Sequence, residues 1–133
     1  MRKFIVFLSF FLPSAALAEP TIYECVVPKA NGPIAERLTI EFEGQTIRVI
    51  DDIVQYFEGG PVFGKTGVMN DKKSVANWNV MMTSRSGQGT KMAYRAVVFA
   101  NGRLIVTAKP HGYANQFSGR GQCRLSSNRV PGS

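Results

Sequence analysis

MAYRAVVFANGRLIVTAK, residues 92–109, decides the fold class. Two runs rich in β-branched and aromatic residues flank Asn101-Gly102, the dipeptide that best tolerates the two positive-φ positions of a type I′ turn, so the stretch reads as a β-hairpin. That turn predicts a register in which Phe99 faces Leu104, Val97 faces Val106 and Arg95 faces Ala108. This face is apolar apart from Arg95 and is expected to point into the core. The opposite face pairs Val98 with Ile105, Ala96 with Thr107 and Tyr94 with Lys109. The last pair is expected to make an exposed cation–π contact of about 0.5–1 kcal/mol.

Working outward, the same signals recur. Arg37–Glu43 (RLTIEFE) alternates, with Leu38, Ile40 and Phe42 on one face and charged or polar residues on the other. Gly44 supplies a turn and Thr46–Ile50 (TIRVI) returns. Thr21–Val27 (TIYECVV) is a further strand, and Val75–Thr83 (VANWNVMMT) aligns Ala76, Trp78, Val80 and Met82. Residues 51–63 fit a short helix or a strand equally, ended by Gly59-Gly60-Pro61. Short strands at regular spacing without a long helix predict an all-β fold. We expect a small antiparallel β-barrel or sandwich of about 6–8 strands, closed by one disulfide.

The first residues, MRKFIVFLSFFLPSAALAEP, carry the pattern of a cleaved signal peptide: Arg2 and Lys3, an apolar run from Phe4 to Leu12, and Ala16-Leu17-Ala18 as the cleavage signal. The run is far shorter than the roughly 20 residues of a spanning helix. The expected organisation is a signal peptide at 1–18, one β domain at 19–125 and a polar, flexible tail at 126–133. The product is expected to be periplasmic or secreted, with no membrane span. Cys25 and Cys123 are the only cysteines. An even count in an exported chain predicts their disulfide, enclosing nearly the whole domain. No C-x-x-C supports a redox role.

Charge is the strongest functional clue. Removal of Arg2 and Lys3 lowers the formal net charge from +7 to +5. All nine acidic residues lie between Glu19 and Asp71, and the ten Lys or Arg residues from Lys72 onward face no acid in that half. Either the halves interleave and neutralise across strands, or the late strands form a basic face for an anionic partner. Phospholipid headgroups, lipopolysaccharide, acidic polysaccharide and acidic proteins are the partners such a compartment offers. Nucleic acid is not expected there.

No arrangement of residues predicts catalysis, a cofactor or a bound metal. His111 is the only histidine, and with both cysteines bridged only carboxylates at or before Asp71 remain as co-ligands. Ser118, His111 and Asp51 or Asp52 make a triad on paper without a G-x-S-x-G context. Asp51-Asp52 is expected to cap or solvate a turn. The glycines of SGQGT (86–90) and of Gly119–Gly121 lack a Walker lysine and a following helix.

Tyr23-Glu24-Cys25 near the mature start, Trp78 mid-chain and Gly121-Gln122-Cys123 near the end form a layout similar to small exported β-proteins of Gram-negative bacteria. It resembles that of the inhibitors of C-type lysozyme, which implies a small β-barrel. The S-G-x-x-Y segment of those inhibitors is absent, since Ser86-Gly87 is followed by Gln88-Gly89-Thr90. Lysozymes are basic, so a basic late half would repel them. The resemblance therefore carries over a fold and no inhibitory residue.

The resulting expectation is an exported, non-enzymatic binding protein that contacts an anionic envelope component or an acidic partner through its C-terminal half. The expected contact residues are Arg103, Lys109, His111, Tyr113, Asn115, Phe117, Arg120 and Arg124, with Arg95 withdrawn inward by the hairpin register. Two alternatives are an apolar-ligand carrier with Tyr94, Trp78 and Phe117 at a barrel mouth, and an enzyme inhibitor acting through loop 84–90.

Overall fold

The computed structural model describes residues 20–126. The expected signal peptide and almost all of the expected tail lie outside them. Eight strands run β1 (Thr21–Val26), β2 (Arg37–Glu43), β3 (Thr46–Asp51), β4 (Val62–Met69), β5 (Lys73–Thr83), β6 (Gly89–Phe99), β7 (Arg103–Pro110) and β8 (Phe117–Leu125). Each pairs antiparallel with the next, and β8 pairs back onto β1, which closes a barrel and leaves a meander without crossovers. The barrel, not the sandwich, is therefore the architecture.

The closing seam is short, from Tyr23↔Leu125 to Val26↔Gln122, and Cys25 lies opposite Cys123 in it. Their sulfurs are bonded across a sequence separation of 98. The disulfide thus reinforces the ladder that closes the barrel.

Inward-facing residues fill the interior. Ile40, Ile47, Val49, Val80, Leu104 and Val106 are fully buried, with Trp78 and Tyr94 among them. The Trp78 and Tyr94 rings stack with centroids 5.3 Å apart, and the Tyr94 hydroxyl donates to the Pro33 carbonyl at 2.6 Å. One buried aromatic thereby joins the late strands to the connection between β1 and β2. Burial of this ring pushes the Tyr94 phenol above its ordinary range, and the nearby Asp51 charge adds to that shift.

The two ends of the barrel differ. One is made of tight connections: β2–β3, β4–β5 and β6–β7. The other carries the longer connections, among them a short helix, α1 (Asp52–Glu58), between β3 and β4. Residues 51–63 thus contain the end of a strand, a helix and the start of the next strand, which is why neither reading alone suited them. Asp51, expected to cap or solvate a turn, caps the helix instead, its carboxylate accepting from the Val54 amide at 2.8 Å. Gly59 ends it in the left-handed region at φ 77°. Val54 is buried and Phe57 packs on the core, so α1 covers its end of the barrel.

Two features depart from the sequence reading. Strand β4 was not recognisable, because Phe63-Gly64-Lys65-Thr66-Gly67 shows no apolar alternation. Gly64 is required there: a Cβ would strike the backbone of Asn77 on β5. The second departure is the β6–β7 register. The pairs are Val98↔Leu104, Ala96↔Val106, Tyr94↔Ala108 and Arg95↔Thr107, one residue away from the type I′ expectation. The Gly102 amide donates to the Phe99 carbonyl at 2.8 Å, and only Gly102 in this turn has positive φ, 91°. The connection is therefore a three-residue loop, a turn followed by a left-handed glycine. A one-residue slip exchanges the two faces of a strand. Tyr94, Ala96 and Val98 point inward, and Arg95 is exposed on the outer wall. The expected Tyr94–Lys109 contact is replaced by the Trp78–Tyr94 stack.

Candidate functional site

In a meander barrel, strands that are neighbours in sequence are neighbours in space. The acidic early half therefore becomes one arc of the wall, β1–β4, and the basic late half becomes the other, β5–β8. The two arcs pair with each other along the β4–β5 and β8–β1 ladders. Outward positions of the late arc carry Lys91 and Arg95 on β6, Arg103 and Lys109 on β7, and Arg120 and Arg124 on β8, all exposed. The register sets each of them opposite an uncharged neighbour, Ala93 opposite Lys109, Arg95 opposite Thr107, and Ile105 opposite Arg120, so the cations are spread over the wall rather than stacked in one row. Among the described residues, one of these six is ion-paired. Arg124 holds Glu24 across the closing seam at 2.8 Å. The other ion pair, Arg48–Glu41 at 3.0 Å, lies wholly within the early arc.

The remaining expected contact residues sit in the β7–β8 connection at the helix-bearing end. His111, Tyr113 and Asn115 are exposed. The His111 amide donates to the Lys91 carbonyl at 2.8 Å, tying the start of this connection to β6. Phe117 requires a correction. It is the first residue of β8, opposite Ala108, and its half-buried ring packs against the core with Gly32 beneath it. The alternation of β8 dictates this: Phe117, Gly119, Gly121 and Cys123 share the inner face, while Ser118, Arg120, Gln122 and Arg124 share the outer one. Phe117 is thus a packing residue and not part of the exposed patch. Trp78 and Tyr94, expected at a barrel mouth, are likewise core residues.

Loop 84–90 forms the β5–β6 connection and the first turn of β6, exposed at the same end as α1. It is a tight turn, with the Ser84 and Gln88 backbones bonded at 2.8 Å and the Ser84 and Ser86 hydroxyls 2.8 Å apart. The components of the paper triad are scattered: Asp51 caps α1, Ser118 lies on the outer face of β8, and His111 opens the β7–β8 connection. Among the described residues, no three His, Cys, Asp or Glu side chains gather as a metal site requires. Desolvation raises the Asp51 carboxyl above its ordinary value, although the Val54 and Ile53 amides counter this. That shift belongs to a helix cap at the barrel end.

One set of residues escaped the sequence reading. Arg37, from the acidic half, lies on β2 opposite Val26, and Val26 lies opposite Gln122, which in turn lies opposite Arg103. One transverse row therefore runs Arg37–Val26–Gln122–Arg103 over four strands, and all four residues are exposed. Only ring closure brings β2 near β7, so no sequence signal could have placed Arg37 beside the late cations.

The fold class is a closed eight-stranded antiparallel meander barrel stapled at its seam by one disulfide, with cations and no carboxylate on the strands of its late arc and both signs on those of its early arc. No protein-family model, curated protein or solved structure matches the chain. Among the described residues no helix is long and apolar enough to cross a membrane.

Proposed function

We propose that the protein is an exported, non-enzymatic binding protein that uses the outer wall of β6–β8 to engage an anionic component of the cell envelope. The observation that carries this reading is the segregation of charge by the meander. Five cations on the outer face of three adjacent strands have no carboxylate within ion-pair distance among the described residues. An uncompensated field of this kind attracts anionic surfaces and raises the local concentration of anionic ligands. Export is supported by the signal-like residues 1–18, and the disulfide suits an oxidising compartment.

The test is co-sedimentation of residues 19–133 with phosphatidylglycerol vesicles and with lipopolysaccharide, at low and at high salt. Binding at low salt that fades as the Debye length falls below about 10 Å is the expected result. Absence of binding to either at low salt overturns the reading.

A further inference from the structure

Two shallow grooves flank the row Arg37–Val26–Gln122–Arg103 and share its central pair, Val26 and Gln122. The first, of about 380 Å³, lies over β1, β2 and β8 and includes Arg37. The second, of about 440 Å³, is floored by Val26 and Pro28 and bordered by Arg103 and Arg120. The second groove exists because β1 leaves the sheet early. The β1–β8 ladder stops at Val26↔Gln122, while β8 continues to Phe117. Gly121, next to that last pair, lets the β1 backbone press close, since a Cβ there would strike the Val26 carbonyl.

The chemistry of the combined surface is specific. Arg37 borders the first groove and Arg103 and Arg120 border the second, with the exposed apolar Val26 common to both. The Arg103 guanidinium rests over the Phe99 ring, 5.9 Å from its centroid, and would swing from there onto a phosphate. None of the three arginines has a carboxylate within ion-pair distance among the described residues. The carboxylate that lines the first groove, Glu24, is already held by Arg124. Arginine forks bind phosphate oxygens in pairs, and a phosphomonoester carries nearly two negative charges with three free oxygens. Val26 is 40% exposed at the centre, an apolar contact that a free inorganic anion would leave unused.

We infer that the β1–β8 seam is a docking surface for a lipid bearing an exposed phosphomonoester headgroup, with Arg37, Arg103 and Arg120 on the phosphate and Val26 against the apolar part next to it. This rests on the proposed anionic-envelope reading and gives it a headgroup and a place. It also moves the site from the middle of the basic wall to its edge, where an early-half arginine completes it.

The test uses residues 19–133 and phosphatidylcholine vesicles doped with phosphatidic acid or, at equal surface charge, phosphatidylglycerol. Phosphatidic acid is expected to bind more tightly. R37Q, R103Q and R120Q should each weaken that binding roughly tenfold, as loss of a charge-assisted hydrogen bond does. K91Q and K109Q remove the same charge from the wall away from the seam and should weaken it only about twofold, as loss of a screened surface charge does. Equal losses in all five variants, or equal affinity for the two lipids, overturn the seam site while leaving the broader reading intact. Failure of the unsubstituted protein to bind either vesicle at low salt overturns both. Saturable binding of inorganic phosphate as tight as binding to the phosphatidic acid vesicles overturns the assignment to a lipid.

Discussion

Every described carboxylate side chain lies between Glu24 and Asp71, on the arc from β1 to the β4–β5 hairpin, whereas the arc from β5 to β8 carries only cations. The arcs also differ in build. β5 and β6 have 11 residues each and pair without interruption, while β1–β4 have 6 to 8 residues, a helix inserted after β3 and a register shift against β5. A meander preserves in space whatever asymmetry its sequence contains. A Greek key would have brought a distant strand between sequential neighbours. Here the two arcs are chemically distinct halves, and their contacts across the closing seam decide how the molecule holds together.

The largest effect is expected from removing the covalent link between the arcs. C25S/C123S should lower unfolding free energy by up to about 4–5 kcal/mol, the chain-entropy figure for so long a loop. Urea denaturation measures it. Amide exchange should show protection falling first at β1 and β8 while β5 and β6 keep theirs. An unchanged denaturation midpoint would mean that the hydrogen-bonded seam suffices.

Next in size is the β6–β7 turn, which sets the faces of the basic arc. Gly102 has φ 91°, and a Cβ would lie 2.9 Å from the Cys123 carbonyl oxygen. G102A should therefore cost at least about 1–2 kcal/mol, the penalty for an L-residue in the left-handed region. Thermal unfolding reads the loss. A neutral G102A would show that this turn has another geometry and would reopen the position of Arg95.

The helix of the early arc gives a smaller, pH-dependent effect. D51A removes the cap of α1 and should cost about 1 kcal/mol, whereas D51N keeps a capping oxygen. Burial holds the Asp51 carboxyl pKa above its unfolded value, so the folded state binds this proton more tightly. Ionising Asp51 therefore costs stability as pH rises through the carboxylate range, and that cost persists at neutral pH. D51N should match or exceed the unsubstituted protein at neutral pH and lose that advantage as pH falls below the carboxylate range. Paired urea titrations at the two pH values measure the difference.

The smallest effect belongs to the ion pair that joins the arcs. Arg124 and Glu24 side chains are 80% and 44% exposed, so solvent screens them. R124Q should shift stability by no more than about 0.5 kcal/mol. A loss several times larger, read by the same denaturation, would show that the seam depends on charge as well as on the disulfide.

Much of the barrel was legible in residues 92–109 and 37–50, because period-two alternation marks a strand with one face in a core. The disulfide was legible from the even cysteine count in a chain whose first residues read as a signal peptide. The β6–β7 register was not, because Ala96-Val97-Val98 is apolar on both faces and lets either one turn inward. Arg95 held the warning: a register that buries an unpaired charge is costly. β4 was hidden by glycines that its close approach to β5 requires, and Phe117 was mistaken for surface because its neighbours at 111–116 are exposed.

By itself the sequence determined that the chain forms short strands, that its two cysteines bracket them, and that acid and base occupy opposite halves. These follow from local alternation, composition and order, which need no knowledge of partners. Tertiary structure alone decided that β8 returns to β1, that Gly102 turns Arg95 outward, and that Arg37 stands in one row with Arg103. Those depend on which distant backbone groups pair, and that pairing is chosen by the packing of Trp78, Tyr94 and the rest of the shared core.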